Sequence, residues 1–364
     1  MAEAGDRMAH ANVAGIYLIH GTFCGNDWLG LLTELARVAP ALSRRLQRVS
    51  KASFDLALRE TGNYTRGFAA RLQRALSAGA GRAIPVRRFN WSSQNTHVAR
   101  ADGAVRLLDE LQRSFPGDAQ PQPGAPPERV QVWAHSHGGN VAAILTNLLG
   151  GDREARRAFF AAAAPYYRNR RGGVDFLPWQ RAEQLLAGDQ NPLAHLRLDV
   201  VTFGTPVRYG WDSAGYARLL HVANHRPNFP GHDWRVRFPH LHRALTARDG
   251  DVVQQIGIAG SGFPVLPIAW RTHAANRRLR ELLAAGVPRW LFTNLAAGVR
   301  VPDEGATLLV DYDDPAWFPL CHLFGHAAFT RSRWLPLHCE LIVQEFYGAV
   351  EPAGGGKSPN APST

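Results

Sequence analysis

The chain has 364 residues, of which 45% are hydrophobic and 20% are charged, a balance that predicts a globular protein with a sizeable core. Its formal net charge of +11 fits an acidic partner, but no basic block is interleaved with aromatic residues, so we expect no nucleic acid. Peripheral contact with an anionic membrane remains open. The three cysteines lie too far apart to predict a disulfide framework or a zinc site.

No apolar run reaches the length of about 18 residues that spans a bilayer. The first residues, "MAEAGDRMAHANVAG", lack the basic start and apolar segment of a signal peptide. We therefore expect a cytoplasmic protein by default, with export by a route that needs no cleaved signal as the alternative.

Six segments have the apolar, β-branched composition of strands, the fifth being the weakest. They are 14–23, 83–91, 129–136, 198–206, 218–225 and 306–314. Nearly continuous apolar strands are typical of a parallel sheet that is buried on both faces.

Four segments with helical spacing of apolar residues lie between the strands, at 27–49, 65–79, 97–115 and 138–151. The alternation predicts an α/β fold, with a mostly parallel central sheet and helices on both faces. The proline-rich stretch 116–128 is predicted to be an exposed loop within one domain.

Two long insertions, 152–197 and 226–300, interrupt this alternation and are rich in aromatic residues, proline and glycine. Such insertions build caps and substrate pockets, although ordinary surface packing is an equal alternative. The predicted organisation is a single domain over 1–350 and a disordered tail over 351–364.

The segment "VQVWAHSHGGN" (130–140) places Ser136 between an apolar strand and a helix. A nucleophile at such a turn requires small residues two positions before and after it, because strand and helix pass close together there. Ala134 and Gly138 meet this requirement. Ser136 is therefore a candidate nucleophile, and the alternative is a serine that caps a helix.

Three blocks in this order, "IYLIHGTF", "AHSHGGN" and "VTFGTP", resemble the α/β-hydrolase superfamily, in particular its lipase and esterase branch. The resemblance covers most of residues 14–340, and Ala134 replaces the usual first glycine. It implies a Ser–His–acid triad in which acid and histidine follow the serine along the chain. The blocks "RRFNWSSQNTHVAR" and "VQQIGIAG" have no chemical role that the sequence reveals.

Ester cleavage of this kind needs two backbone N–H groups that stabilise an oxyanion. One is expected from His137, the residue after the nucleophile. By resemblance to lipases the other is expected from Thr22, with Phe23 as the alternate. A simple tight turn at residues 20–21 is the competing interpretation.

His326 is the predicted base, because it follows the last strand by a short loop and precedes small residues and an aromatic one, as in the lipase histidine loop. His322 and His338 are its rivals. His135 and His137 flank the serine and are expected to shape the turn.

Asp251 is the predicted acid, since it directly precedes an apolar pair as the lipase acid often does. Asp249 is the alternate, by analogy with an Asp-Gly-x-Val form. A later acid among Asp311, Asp313 and Asp314 is a further alternative.

Together these residues predict a serine hydrolase that cleaves a carboxylic ester, of a lipid or a medium-chain acid, through an acyl-enzyme intermediate. No cofactor or metal is expected. An acyltransferase with the same triad and a catalytically inactive binding protein of the same fold are the alternatives.

Overall fold

The computed structural model describes residues 1–117, 127–169, 171–206, 208–226, 241–248, 250–259, 269–284, 304–312 and 322–348. Within these ranges the strands are β1 (Val13–Ile19), β2 (Val86–Phe89), β3 (Arg129–His135), β4 (Arg197–Phe203), β5 (Arg218–Asn224) and β6 (Ala306–Val310). The α-helices are α1 (Ala2–His10), α2 (Leu31–Ala36), α3 (Pro40–Leu58), α4 (Arg66–Ala80), α5 (His97–Ser114), α6 (His137–Gly150), α7 (Arg153–Tyr167), α8 (Leu177–Leu185), α9 (Leu241–Leu245), α10 (Val252–Ala259), α11 (Trp270–Leu283) and α12 (Leu335–Tyr347).

All six strands form one parallel sheet in the order β2-β1-β3-β4-β5-β6. The α/β fold class and the parallel sheet predicted from the sequence are thus confirmed, including the weakest strand, which forms β5. The chain leaves every strand at the same edge of the sheet. Loops after these carboxyl ends therefore converge, and this edge carries the candidate site.

Alternate residues of the central strands β1, β3 and β4 enter different cores. In β1, Tyr17 and Ile19 join a cluster with α5, α6, α7, α8 and α11, whereas Ile16 and Leu18 join one with α1, α4 and α12. Both faces of the sheet are therefore covered by helices, as the continuous apolar strands predicted.

The predicted helix over 27–49 is wrong in its limits. The structure has two helices, α2 and α3, and α3 begins at Pro40 and extends to Leu58. Proline has no N–H to continue a helix and collides with the preceding turn, but it fits the first helical position. The helix predicted over 27–49 is therefore interrupted before Pro40, and α3 begins there as a separate helix.

The first insertion contains α7 and α8, whose aromatic side chains are buried in the core. Phe159, Phe160, Tyr167 and Trp179 pack on one another, with Tyr167 and Trp179 stacked at 4.9 Å. These rings therefore serve packing, the alternative left open for this insertion.

Of the second insertion only parts are described, among them α9, α10 and α11. Helices α1 and α12 were not anticipated, and α1 packs against both α4 and α12. The tail over 351–364 lies outside the described residues. None of the described helices combines the length and the apolar character needed to cross a membrane.

Candidate active site

Ser136 occupies the junction between β3 and α6 in a strained backbone conformation. Its φ is 54° and its ψ is −133°, a combination that side chains with a Cβ atom rarely adopt and that persists only where surrounding contacts enforce it. The Ser136 N–H donates to the carbonyl of Phe203 at 2.9 Å, which ties the turn to the end of β4. The Ser136 side chain makes no capping bond to α6. The helix-capping alternative therefore does not describe this residue.

Two glycines allow the turn to approach β1. A Cβ atom on Gly21 would lie 2.6 Å from the Ser136 Cβ, and one on Gly138 would lie 2.8 Å from the carbonyl oxygens of Ile19 and His20. Both distances are shorter than any normal contact, so a larger residue would push the loop after β1 away from the serine. This is the physical reason for the small residue two positions after Ser136.

His326 and Asp251 form a buried pair at the same edge of the sheet. The Nδ1–H of His326 donates to Oδ2 of Asp251 at 2.6 Å, and Asp251 is fully buried. The other carboxylate oxygen accepts the N–H of Gln254 at 2.8 Å, at the start of α10. The bond to Asp251 assigns the proton to Nδ1, so Nε2 of the neutral ring carries a lone pair.

The ring of His326 lies against His135, the residue that precedes the serine. The two ring centroids are 4.4 Å apart, and the Nε2–H of His135 donates to the carbonyl of His326 at 3.1 Å. The buried Nε2 of His326 has no hydrogen-bond partner in the described part of the chain, the Ser136 hydroxyl included. Catalytic hydrogen bonds often tighten only when substrate is present.

The two oxyanion candidates on the loop after β1 differ in their hydrogen bonding. The Phe23 N–H donates to the carbonyl of Ser93 at 3.2 Å. The Thr22 N–H makes no hydrogen bond to any residue the structure describes. Thr22 is therefore the better donor for an oxyanion, and His137, at the first position of α6, supplies an N–H that the helix itself cannot satisfy.

The loop after β2 supports the loop after β1, which gives the block "RRFNWSSQNTHVAR" a structural role. Trp91 donates its indole N–H to the carbonyl of His20 at 2.8 Å, and the two rings stack. The Ser93 hydroxyl accepts the N–H of Gly25 at 2.8 Å. Sequence analysis missed these residues, and their position directly after β2 was the only signal that could have found them.

The block "VQQIGIAG" connects the carboxylate of Asp251 to the turn at Ser136. Beyond its N–H bond to Asp251, Gln254 donates its side-chain amide to the carbonyl of Thr205 at 3.0 Å. The Thr205 hydroxyl donates to the carbonyl of Ser136 at 2.9 Å. Three residues thus fix the distance between the carboxylate and the turn.

The remaining histidine candidates are engaged elsewhere. The Nδ1 of His322 accepts the N–H of Gly325 at 3.1 Å and closes the turn before His326. His338 bonds the phenol of Tyr312 at 2.7 Å, beneath α12. Neither interaction involves a carboxylate.

Among the rival acids, Asp311 is an exposed residue that pairs with Arg226. Asp249, Asp313 and Asp314 lie outside the described residues. Asp251 is the carboxylate that the structure brings to His326.

Burial governs the charge of the flanking side chains. It lowers the pKa of His20 to about 3, and it lowers the pKa of His135 and of His137 well below the ordinary value, with nearby positive charge adding to the effect. These three imidazoles are therefore neutral near pH 7. Burial also raises the pKa of the Cys24 thiol to about 12, which excludes a thiolate nucleophile at this position.

In the described residues no group of three His, Cys, Asp or Glu side chains is arranged to hold a metal ion. Comparison of the chain with protein-family models, with curated proteins and with solved structures finds no match.

Proposed function

We propose that the protein is a serine hydrolase of the α/β-hydrolase type that cleaves a carboxylic ester. The observation that carries the proposal is the combination of a strained Ser136, held between strand and helix, with a buried His326–Asp251 pair on the same sheet edge. A structural serine has no need of a disfavoured backbone conformation, and His326 combines an unpartnered buried Nε2 with a carboxylate bonded to its Nδ1.

In the proposed reaction the Ser136 Oγ attacks the ester carbonyl carbon while its proton passes to Nε2 of His326. Asp251 keeps the imidazole in the required tautomer and stabilises its positive charge. The N–H groups of Thr22 and His137 stabilise the oxyanion. The intermediate then collapses, its alcohol leaves with the proton from His326, and the acyl group stays on Ser136.

Water completes the cycle. It gives a proton to Nε2 of His326 and attacks the acyl carbonyl, and the carboxylic acid leaves as Ser136 regains its proton. This chemistry requires no metal or organic cofactor. An acceptor alcohol in place of water would make the same intermediate an acyltransferase.

An apolar ester, of a lipid or a medium-chain acid, is the proposed substrate. Its support is the exposed apolar surface on the loop after β1: Phe23 and Trp28 are each 38% exposed and meet edge to face at 6.1 Å. Large aromatic side chains exposed beside a candidate oxyanion donor offer a surface on which an apolar ligand can bind.

A fluorophosphonate probe tests the nucleophile independently of the natural substrate. Wild type is expected to be labelled, Ser136→Ala is expected to resist labelling, and the exposed Ser213→Ala serves as the matched control. A panel of nitrophenyl esters and phospholipids should be hydrolysed by wild type, with a loss of about 10⁶-fold in kcat for Ser136→Ala. Equal labelling of all three proteins would refute the proposal.

The same panel, repeated with added alcohols, separates hydrolysis from acyl transfer by its products. An ester product formed at the expense of free acid would identify a transferase. Absence of labelling and turnover in a folded wild-type protein would instead favour a binding protein.

A further inference from the structure

Helix α3 exposes an apolar stripe along much of its length. The exposed side chains are Leu42 (50%), Leu46 (40%), Val49 (63%) and Leu56 (77%). At about 100° per residue, these four positions fall within an arc of about 80° on the helix. Side chains buried on α3 are few, Ser43 and Lys51, so the helix lies on the surface with its apolar stripe turned outward.

The stripe has a basic border. Helix α3 carries four basic side chains and one carboxylate, Asp55. At the same rotation per residue, three arginines lie at increasing angles from one edge of the stripe, in the order Arg45, Arg48 and Arg44. None of these three arginines has a carboxylate partner among the described residues.

A cavity of about 680 Å³ opens beside this border. Arg44, Arg48 and Arg66 line it together with the apolar Leu56. Asp55, the one acidic residue among the described residues that line it, is already paired with Lys51 at 2.5 Å and with Arg88 at 2.8 Å. The cavity therefore presents unneutralised positive charge next to exposed apolar side chains.

The same surface continues to the candidate active site. Asn26, on the loop after β1, lines this cavity, and the Ser43 hydroxyl on α3 bonds the carbonyl of Leu32 on α2. Exposed apolar residues on this loop and at the start of α2 extend the patch: Phe23, Trp28, Leu29 and Leu31.

We propose that the α3 face, defined as residues 42–56 with the adjoining cavity, docks on an anionic phospholipid bilayer. Helices that lie in a membrane interface combine an apolar side with basic residues at its edge. Aromatic side chains such as Trp also favour the membrane–water interface. Arg44, Arg45 and Arg48 contact lipid phosphates while Leu46 and Val49 enter the acyl boundary. This proposal goes beyond the proposed ester cleavage and does not depend on it.

Vesicle sedimentation in the Ser136→Ala background tests the docking without lipid turnover. The full-length protein is expected to bind vesicles of phosphatidylglycerol and phosphatidylcholine in equal parts, and to bind pure phosphatidylcholine much more weakly. Arg44→Gln/Arg45→Gln/Arg48→Gln should weaken binding to the mixed vesicles on the order of 100-fold, because each surface cation contributes separately. Leu46→Ser/Val49→Ser should weaken it at least about 10-fold through lost apolar burial.

Matched controls remove the same number of exposed arginine and apolar side chains from surfaces outside the α3 face. Arg153→Gln/Arg157→Gln/Arg197→Gln removes three exposed arginines near the opposite edge of the sheet, and Leu177→Ser/Leu282→Ser removes two exposed leucines. Both controls should bind vesicles like the parent, and circular dichroism should give all variants the parent's melting temperature.

Three results would overturn the proposal. The first is failure of the parent to bind the mixed vesicles, and the second is an arginine control that weakens binding as much as the α3 triple variant. The third is a parent that forms a dimer in light scattering, that Leu46→Ser/Val49→Ser converts to a monomer, and that does not bind vesicles. The last result would assign the face to a second copy of the chain. Binding that persists while Ser136 proves unreactive would leave the docking proposal intact and remove only the proposed hydrolysis.

Discussion

Two regions of the molecule each bury a histidine almost completely, yet they give it different chemical settings. At the carboxyl edge of the sheet, His326 bonds the carboxylate of Asp251. Beneath α12, His338 bonds the phenol of Tyr312 and no carboxylate among the described residues, and burial lowers its pKa to about 3. Burial thus keeps the ring of His338 neutral, whereas His326 has in addition the carboxylate contact that the proposed reaction requires of its base.

The strongest test of this comparison removes the carboxylate. Asp251→Asn should lower the rate of labelling by a fluorophosphonate by about 10,000-fold, because the amide supports neither the required tautomer nor the positive charge. The exposed Asp311→Asn is the control and should react like wild type. A loss below tenfold with Asp251→Asn would mean that another group performs this role.

A second test concerns the backbone that surrounds the candidate site. Gly21→Ala places a Cβ atom only 2.6 Å from the Ser136 Cβ, so the loop after β1 must move. We expect a loss of at least about 100-fold in labelling rate, as a displacement near 1 Å produces in other active sites. Gly188→Ala is the matched control, because a Cβ atom added there would have no described atom within 4 Å apart from its chain neighbours. Equal rates for the two variants would show that the close approach at Gly21 is not required.

A third test sharpens the account of His338. The folded protein keeps this ring neutral, whereas the unfolded chain binds a proton below the ordinary pKa of 6.5. The contribution of the neutral His338 ring to the free energy of unfolding is therefore complete above pH 6.5 and is lost as the pH falls toward 3. His338→Gln should reduce the slope of the free energy of unfolding against pH, between pH 5 and 6, by about 1.4 kcal/mol per pH unit. Urea denaturation measures it, and parallel slopes for variant and wild type would contradict the expectation.

Much of the fold could be predicted because the strands are continuous apolar runs separated by helical periodicity. The residues at which helices begin and end were harder to predict, since the local pattern around Pro40 fits a helix on both sides of the proline. The aromatic residues of α7 and α8 were ambiguous for a different reason. An aromatic side chain in a core and one in a pocket have the same local pattern, and only the tertiary packing of Trp179 distinguishes them.

The candidate site likewise contains residues that could be predicted from the sequence and residues that could not. Ser136 could be proposed from its neighbours, because the requirement for small residues is local. The pairing of His326 with Asp251 rested on a resemblance, and the structure brings these two side chains together. The contributions of Trp91 and Gln254 could not be predicted, since each bonds a backbone carbonyl that lies far away in sequence.

The parallel order of the strands has a consequence for the kinetics of folding. His135 and His326, whose rings touch, are separated by 191 residues along the chain. Contacts between such distant residues close large loops and form slowly. During refolding we therefore expect the helices to regain their circular dichroism before the proposed probe labelling of Ser136 returns, because labelling requires contacts between the distant ends of the chain.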